Sequence, residues 1–564
     1  MTPVDGSASL ARIRDYVHRH RERLATPGVA IAATDRDRCL GLVLEGEADV
    51  AAGTPVAAHH RFQIGSVSKG FTALAVLQQV EEERIDLDAP VTTYLPWFWV
   101  GSSFGPITIH HLLSHTAGIV TGTDVTGEAA SDVWMLRETV AGFAPGERFH
   151  YSNCGFKALG LVLEAVTGRP WWRLVHERVM RPIGMGDADV VITNETRGRL
   201  ATGHTPPFDD RPWLPRHGWA AATWIESATA DGTICATAEE LSAYARLLLN
   251  GGAGVVTTRS FERMTTPVAG DPDEPDEVYG YGIRWLDGQE ALRGAREASA
   301  SSASVVPREG RRLLGHTGSM VGFTAHLLVD VAAGVGVVIL MNSAIGRRTD
   351  LARFAVASLA AEAAGEPLPE VPDATDPTAI EQGDDLAGRY VDGEGPIEIE
   401  QRGSGLSLHA GASEGVLVAM DADDTYAVDH PELERFPVRF NRDGGAIVGV
   451  FWGPRWLRRQ GADPATDADA PAGWSRFPGR YSSWNPWEPG FRVFLRRGRL
   501  WLARTGDPLG WDPERELTPV DDEWFRVGDR WSPDRVRFDW EIAGATHRAT
   551  FDGARFYRRV QPER

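Results

Sequence analysis

The chain has 564 residues, long enough for two to four domains with a large buried core. A hydrophobic share of 42% against 24% charged residues is that of an ordinary globular protein, and a net charge of −20 weighs against nucleic acid or anionic membranes, which need a basic face. Cys39, Cys154 and Cys235 stand far apart without metal or disulfide spacing, so no cofactor, metal or disulfide framework is called for and a reducing, cytoplasmic setting is expected.

In chain order, the N-terminus passes into a charged, helix-like stretch around Leu10–Val17 with no apolar signal segment. No run of about 18 apolar residues follows anywhere, so no membrane span is expected. Val29–Ala33 and Gly41–Gly46 read as adjacent strands. From Ser66 to about Glu82, Phe71, Leu74, Ala75, Leu77 and Val80 recur at the helical period, which places Ser66 where a helix begins. Helices are also predicted over Phe156–Val166 and Ala238–Leu249, the second closed by Asn250, Gly251 and Gly252. The small, polar, aperiodic stretch Gly288–Arg311 reads as a loop with a place for a lid, and Leu327–Asp330 with Val335–Met341 as a hairpin of buried strands. Glu366–Asp385, rich in proline and acidic residues, reads as a stiffened linker.

Beyond that linker the chain repeats itself. Leu386-Ala387-Gly388-Arg389-Tyr390 returns as Phe477-Pro478-Gly479-Arg480-Tyr481, and Phe451–Arg459 returns as Phe551–Arg559. Short alternating segments between these ends predict two small antiparallel β-barrels or sandwiches. The loop Trp484–Gly490 is a candidate to border the active site, although a turn packed on its own barrel is the plainer reading.

Three segments carry the chemistry. Lys69 and Lys157 are the only lysines among 58 basic residues, and Lys69 lies three residues after Ser66. On a helix, positions three apart share a face, so an amine there reaches the hydroxyl, and the helix N-terminus favours a developing oxyanion. Such an amine works as a base near neutrality only where burial or neighbouring cations favour its neutral form. In His150-Tyr151-Ser152-Asn153, just before a helix, a phenol and a carboxamide two residues apart in an extended or loop segment project to one side, so Tyr151 and Asn153 can converge on one cavity. Leu314-Gly315-His316-Thr317-Gly318-Ser319 is a small-residue strand along which a substrate backbone can lie, with the Ser319 amide available beside that of Ser66 as an oxyanion donor. His111 and His115, four apart, lack the glutamate of a zinc-protease helix and read as structural.

Ser-x-x-Lys, Tyr-x-Asn and His-Thr-Gly, in this order, resemble the three signature elements of the serine β-lactamase and penicillin-binding-protein superfamily. Ile107–Gly118, Pro145–Asn153 and Tyr279-Gly280-Tyr281-Gly282 strengthen the resemblance, which covers about residues 8–363. It implies an α/β (α+β) β-lactamase-like sandwich with a helical region, followed by two lipocalin-like β-barrel domains. The boundaries expected are 1–365 for the catalytic domain, 366–385 for the linker, 386–460 and 475–564 for the barrels, and 461–474 between them. By the same resemblance Ser66 is the acylated nucleophile and Lys69 and Tyr151 move its proton. His316 is grouped with the catalytic residues, and Asn153, Thr317, Gly318 and Ser319 contact substrate.

His316 stands where β-lactamases and cell-wall transpeptidases usually carry lysine. A neutral imidazole attracts a substrate carboxylate weakly, which turns the expectation toward the D-aminopeptidase and esterase branch. The expected function is a serine hydrolase or acyltransferase acting through acyl-Ser66 on a small peptide, amide or ester, foremost as a D-stereospecific peptidase or aminopeptidase. An esterase, a penicillin-binding-type thioesterase or peptide cyclase, and a non-catalytic ligand-binding or sensor protein stay open, as does homo-oligomerisation.

Overall fold

Runs such as Ala30-Ile31-Ala32-Ala33 and Val337-Val338-Ile339-Leu340 are apolar at consecutive positions, the pattern of strands buried on both faces. In the computed structural model, which describes residues 5–122, 127–272, 277–286, 313–380, 383–462, 469–505 and 514–559, these runs form the centre of a nine-stranded sheet. Its strands are β1 (Gly28–Asp35), β2 (Cys39–Asp49), β3 (Thr54–Pro55), β4 (Ala269–Gly270), β5 (Glu277–Tyr279), β6 (Arg284–Leu286), β7 (Leu313–Met320), β8 (Phe323–Asp330) and β9 (Val335–Met341). The order is β3-β2-β1-β9-β8-β7-β6-β5-β4, with antiparallel neighbours.

Five helices matter for the site: α1 (Ser7–Arg19), α2 (Ser68–Glu81), α3 (Asn153–Thr167), α4 (Ala238–Leu249) and α5 (Thr349–Ala364). Val29, Ile31, Val337 and Ile339 point to one face of the sheet and form a core with Ile13 and Val17 of α1 and Leu351, Ala355 and Val356 of α5. The alternate residues Ala30, Ala32, Val338 and Leu340 point to the other face, against which α4 packs. Helix α2 is buried nearly all round. Its Gly70 lets the Tyr244 hydroxyl come so close that a Cβ would sit 2.0 Å from it, so this helix is wedged rather than laid on a surface.

The chain divides into two compact units, residues 1–205 with 219–373, and residues 206–218 with 374–564. The short segment 206–218, inside the expected 1–365 domain, therefore groups with the C-terminal part. That second unit contains two closed antiparallel barrels of eight strands, running from Gly388–Val391 to Arg455–Arg459 and from Gly479–Ser482 to Ala554–Arg558. The sequence repeat has a structural counterpart: Tyr390 donates its hydroxyl to the Leu386 carbonyl at 2.6 Å, and Tyr481 donates to the Phe477 carbonyl at 2.7 Å. Each tyrosine also sits on the strand that closes its barrel, opposite Arg459 and Arg558 respectively. Side chains such as Ile397, Leu408, Val428 and Val450 fill the first interior, and Phe491, Leu502, Phe525 and Phe538 the second. Barrels of this strand number are just wide enough to be filled that way.

Along the expected linker, Val371 joins the core of the first unit, Ile380 joins that of the first barrel, and Gly383–Leu386 is a short helix. The turn at Trp484 is tied to its own barrel by Ser483 Oγ donating to the Glu488 carbonyl at 2.6 Å, while Trp484 itself is 94% exposed. The expected loop Gly288–Arg311 lies outside the described residues. Among the described residues no helix is long and apolar enough to cross a membrane.

Candidate active site

Ser66 occupies a one-turn 3-10 segment, Gly65–Val67, that runs directly into α2. Lys69, three residues on, is fully buried, and its ammonium donates to three acceptors: Ser66 Oγ at 2.9 Å, Asn153 Oδ1 at 2.8 Å and the Asp231 carbonyl at 2.9 Å. Three donors matched to three neutral acceptors leave the amine fully satisfied without a counter-ion. Lys69 Nζ also lies 4.9 Å from the centre of the Tyr151 ring. The structure thus brings Ser66, Lys69, Tyr151 and Asn153 together.

Helix α3 begins at Asn153, three residues before the helix predicted from Phe156, so Tyr151 and Asn153 do not share one extended or loop segment. Ser152 accounts for the difference: its hydroxyl accepts from the Gly155 amide at 3.1 Å and donates to the Val120 carbonyl at 2.7 Å, capping the helix. Asn153 is therefore held by the first turn of α3 and Tyr151 by the segment leading into it. His115 fixes that segment from both sides, because its carbonyl accepts from the His150 amide at 2.8 Å and its Nδ1 from the Ser152 amide at 3.0 Å. Its ring lies 4.2 Å from that of Tyr151. His115 takes a φ of 56°, past the end of the helix Ile109–Leu113 that holds His111, so the two histidines do not form a ligand pair on one helical face.

The third segment, β7, passes alongside the Ser66 turn. A Cβ at Gly318 would lie 1.9 Å from the Ile64 carbonyl oxygen and 3.2 Å from the Ser66 amide nitrogen, and one at Gly65, where φ is 54°, would lie 2.6 Å from the Ser319 amide nitrogen. Only glycine at both places lets the two backbones approach, and the Ser66 and Ser319 amides consequently stand on adjoining segments. Thr317 is half-buried and Ser319 exposed on this strand.

His316 is turned inward. Its Nδ1 is 2.6 Å from the Thr317 carbonyl oxygen, which can only accept, so Nδ1 carries the proton and Nε2, 2.9 Å from the Tyr279 hydroxyl, accepts from it. Burial, together with the Arg284 cation, pushes the His316 pKa well below the ordinary value, and burial pushes that of Tyr279 well above its own. Both ring nitrogens are thereby engaged within the protein.

Four residues that sequence reasoning did not single out complete the surroundings. Arg284 lies 5.8 Å from the Tyr151 ring and 5.5 Å from that of Tyr279, held by ion pairs to Asp271 at 3.1 Å and Glu277 at 2.5 Å. Burial lowers its pKa, but the two carboxylates raise it further, so the guanidinium stays charged. Asp231 contributes the carbonyl bound to Lys69. Arg348 donates from Nη2 to Ser319 Oγ at 3.3 Å and from Nε to the Ala325 carbonyl at 2.7 Å, which puts a second cation at the open end of β7. Tyr279 was visible only as part of the Tyr-Gly-Tyr-Gly stretch, and Arg284 follows that stretch by two residues.

The Beta-lactamase family model matches residues 13–362. Esterase EstB of Burkholderia gladioli is 35% identical over 214 residues, which cover 34% of this chain and 54% of the esterase, about half its length. A D-aminopeptidase of Cereibacter sphaeroides is 25% identical over 449 residues, covering 72% of this chain and 75% of that protein. Among solved structures, the octameric penicillin-binding protein homologue from Pyrococcus abyssi shares the fold with a TM-score of 0.55 at 21% identity, over 79% of this chain and 99% of that one. With a match across more than half its length, on the segments that converge at Ser66, the chain belongs to the Beta-lactamase family and is a serine hydrolase of that superfamily.

Proposed function

We propose that Ser66 attacks the carbonyl carbon of an amide or ester and becomes acylated, with its hydroxyl proton leaving through the Lys69 and Tyr151 pair. The observation that carries this reading is the single amine that bridges the Ser66 hydroxyl and the Asn153 side chain. Tyr151, between Lys69 and the Arg284 cation, relays the proton to the departing amine or alcohol. A water then cleaves the acyl-enzyme and restores the serine. The Ser66 and Ser319 amides receive the oxyanion, and Asn153, Thr317 and Gly318 line the acyl group's path. His316 serves as a positioning residue, since its hydrogen bonds hold Tyr279 rather than substrate.

Within this chemistry we favour a peptidase or aminopeptidase acting on D-residues, on the strength of the D-aminopeptidase alignment, which extends past the catalytic unit. The esterase reading rests on the higher identity to the Burkholderia esterase over the shorter span. The two make opposite demands on one assay. Wild-type protein is offered D- and L-aminoacyl amides, anilides and aryl esters beside Ser66→Ala. The peptidase reading expects D-aminoacyl amides to be cleaved with the larger kcat/KM and all turnover to vanish in the variant. Turnover of esters alone would leave the esterase, and turnover surviving in Ser66→Ala would sink both.

A further inference from the structure

Segment 206–218 is clamped within the second unit at both barrels. Arg211 donates to Glu434 at 2.7 Å and His217 Nε2 lies 2.9 Å from the same carboxylate, while Arg480 donates to Asp209 at 2.7 Å. Where segment and barrels meet they enclose a cavity of about 80 Å³, whose lining includes five arginines and three carboxylates. Glu434 takes Arg211 and Glu488 takes Arg504, but Asp210 is shared. Asp210 serves three guanidinium groups at once, taking a hydrogen bond from Arg211 at 2.9 Å and facing Arg492 at 3.5 Å and Arg480 at 3.7 Å.

Arg492 is the odd member. It projects from the strand Gly490–Arg496, is only 9% exposed, and its buried Nη2 makes no hydrogen bond. Its guanidinium lies 4.7 Å from the Phe436 ring, and burial together with the Arg435 charge pushes its pKa down to about 10. The carboxylate it faces, Asp210 at 3.5 Å, is shared with Arg211 and Arg480, and the geometry that satisfies a buried guanidinium edge is the fork of a carboxylate of its own. Phe436, Phe494 and Met420 supply apolar wall beside it. Asp209, Asp210 and Glu514 on the same lining oppose a dianion.

We propose that this cavity binds a small organic carboxylate, whose single negative charge completes the Arg492 fork and whose apolar body rests on Phe436 and Phe494. The site lies in the barrel unit and uses none of the residues of the catalytic reading, so it stands or falls independently of that reading.

Calorimetric titration of full-length Ser66→Ala protein with benzoate tests this, with inorganic phosphate and benzylamine as controls. Benzoate is expected to bind, phosphate and benzylamine to bind at least tenfold more weakly, and Arg492→Gln to weaken benzoate at least tenfold while leaving hydrolysis by otherwise wild-type protein unchanged. Failure of benzoate to bind, equal binding in Arg492→Gln, or phosphate binding as well as benzoate would each overturn the proposal. Should Arg492→Gln not fold, a crystal soaked with 4-bromobenzoate decides: bromine between Phe436 and Phe494 supports the site, and bromine only elsewhere overturns it.

Discussion

The two lysines of this chain are both buried and hydrogen-bonded, yet their surroundings differ in kind. Lys157 meets the Asp132 carboxylate at 2.7 Å, with both side chains almost wholly excluded from solvent. Lys69 meets a hydroxyl, an amide oxygen and a backbone carbonyl, and among the described residues no carboxylate stands in ion-pair contact with it. A buried amine locked to a carboxylate does structural duty, whereas one among neutral acceptors beside a serine is placed to serve that serine's chemistry. Retention of a lysine in an arginine-rich chain thus has two separate physical reasons.

The sharpest way to break this comparison is to exchange the consequences. Lys69→Ala is expected to lower kcat/KM by about a thousandfold or more, the scale of a lost general base, with the fold kept as judged by circular dichroism. Lys157→Met should do the reverse. Removing one partner of a buried ion pair costs about 3–5 kcal/mol, read from urea midpoints, while kcat per folded molecule holds. Adding Asp132→Leu should recover most of that loss, and recovery of none of it would argue that Lys157 has a role beyond the pair.

Acid sharpens the same contrast, because the Lys69 centre is bordered by histidines kept neutral. Burial, then the Lys69 charge, holds His115 well below its ordinary value, and burial with Arg284 does so for His316. Their contribution to stability is complete above the unfolded value of about 6.5 and is lost as pH falls toward their depressed folded values, since only the unfolded chain takes up the protons. Each contributes about 1.4 kcal/mol per pH unit in that window. Urea midpoints should therefore fall steadily from pH 6.5 to 5, and a flat profile would contradict the neutral assignment.

The smallest expected effect concerns Arg348. A neutral His316 gives little attraction for a substrate carboxylate, but Arg348, hydrogen-bonded to Ser319 Oγ, supplies a cation that the motif itself lacks. Arg348→Ala should raise KM about five- to tenfold for substrates ending in a carboxylate and leave neutral esters alone. An equal effect on both would reduce Arg348 to a strand support.

Much of this was legible in order along the chain. The helical period fixed α2, a glycine-rich stop fixed the end of α4, and the paired ends of the repeat marked both barrels, because each signal is carried by neighbours in sequence. Asn153 was misplaced because Asn-Cys-Gly reads as loop until Ser152 is recognised as the cap. Arg284, Arg348, the Asp231 carbonyl and the His115 clamp were not legible, since each reaches the site through tertiary packing rather than spacing. The same holds for segment 206–218, which carries no periodic signal and owes its place to ion pairs with Glu434 and Arg480 far along the chain.

The most direct test of the central claim is intact-protein mass spectrometry after treatment with a fluorophosphonate, followed by peptide mapping. One adduct on Ser66 is predicted, formed by wild type and by folded Lys157→Met, slowed at least a hundredfold in Lys69→Ala and absent in Ser66→Ala. An adduct that forms at the wild-type rate without Lys69, or that maps to another residue, would contradict the account.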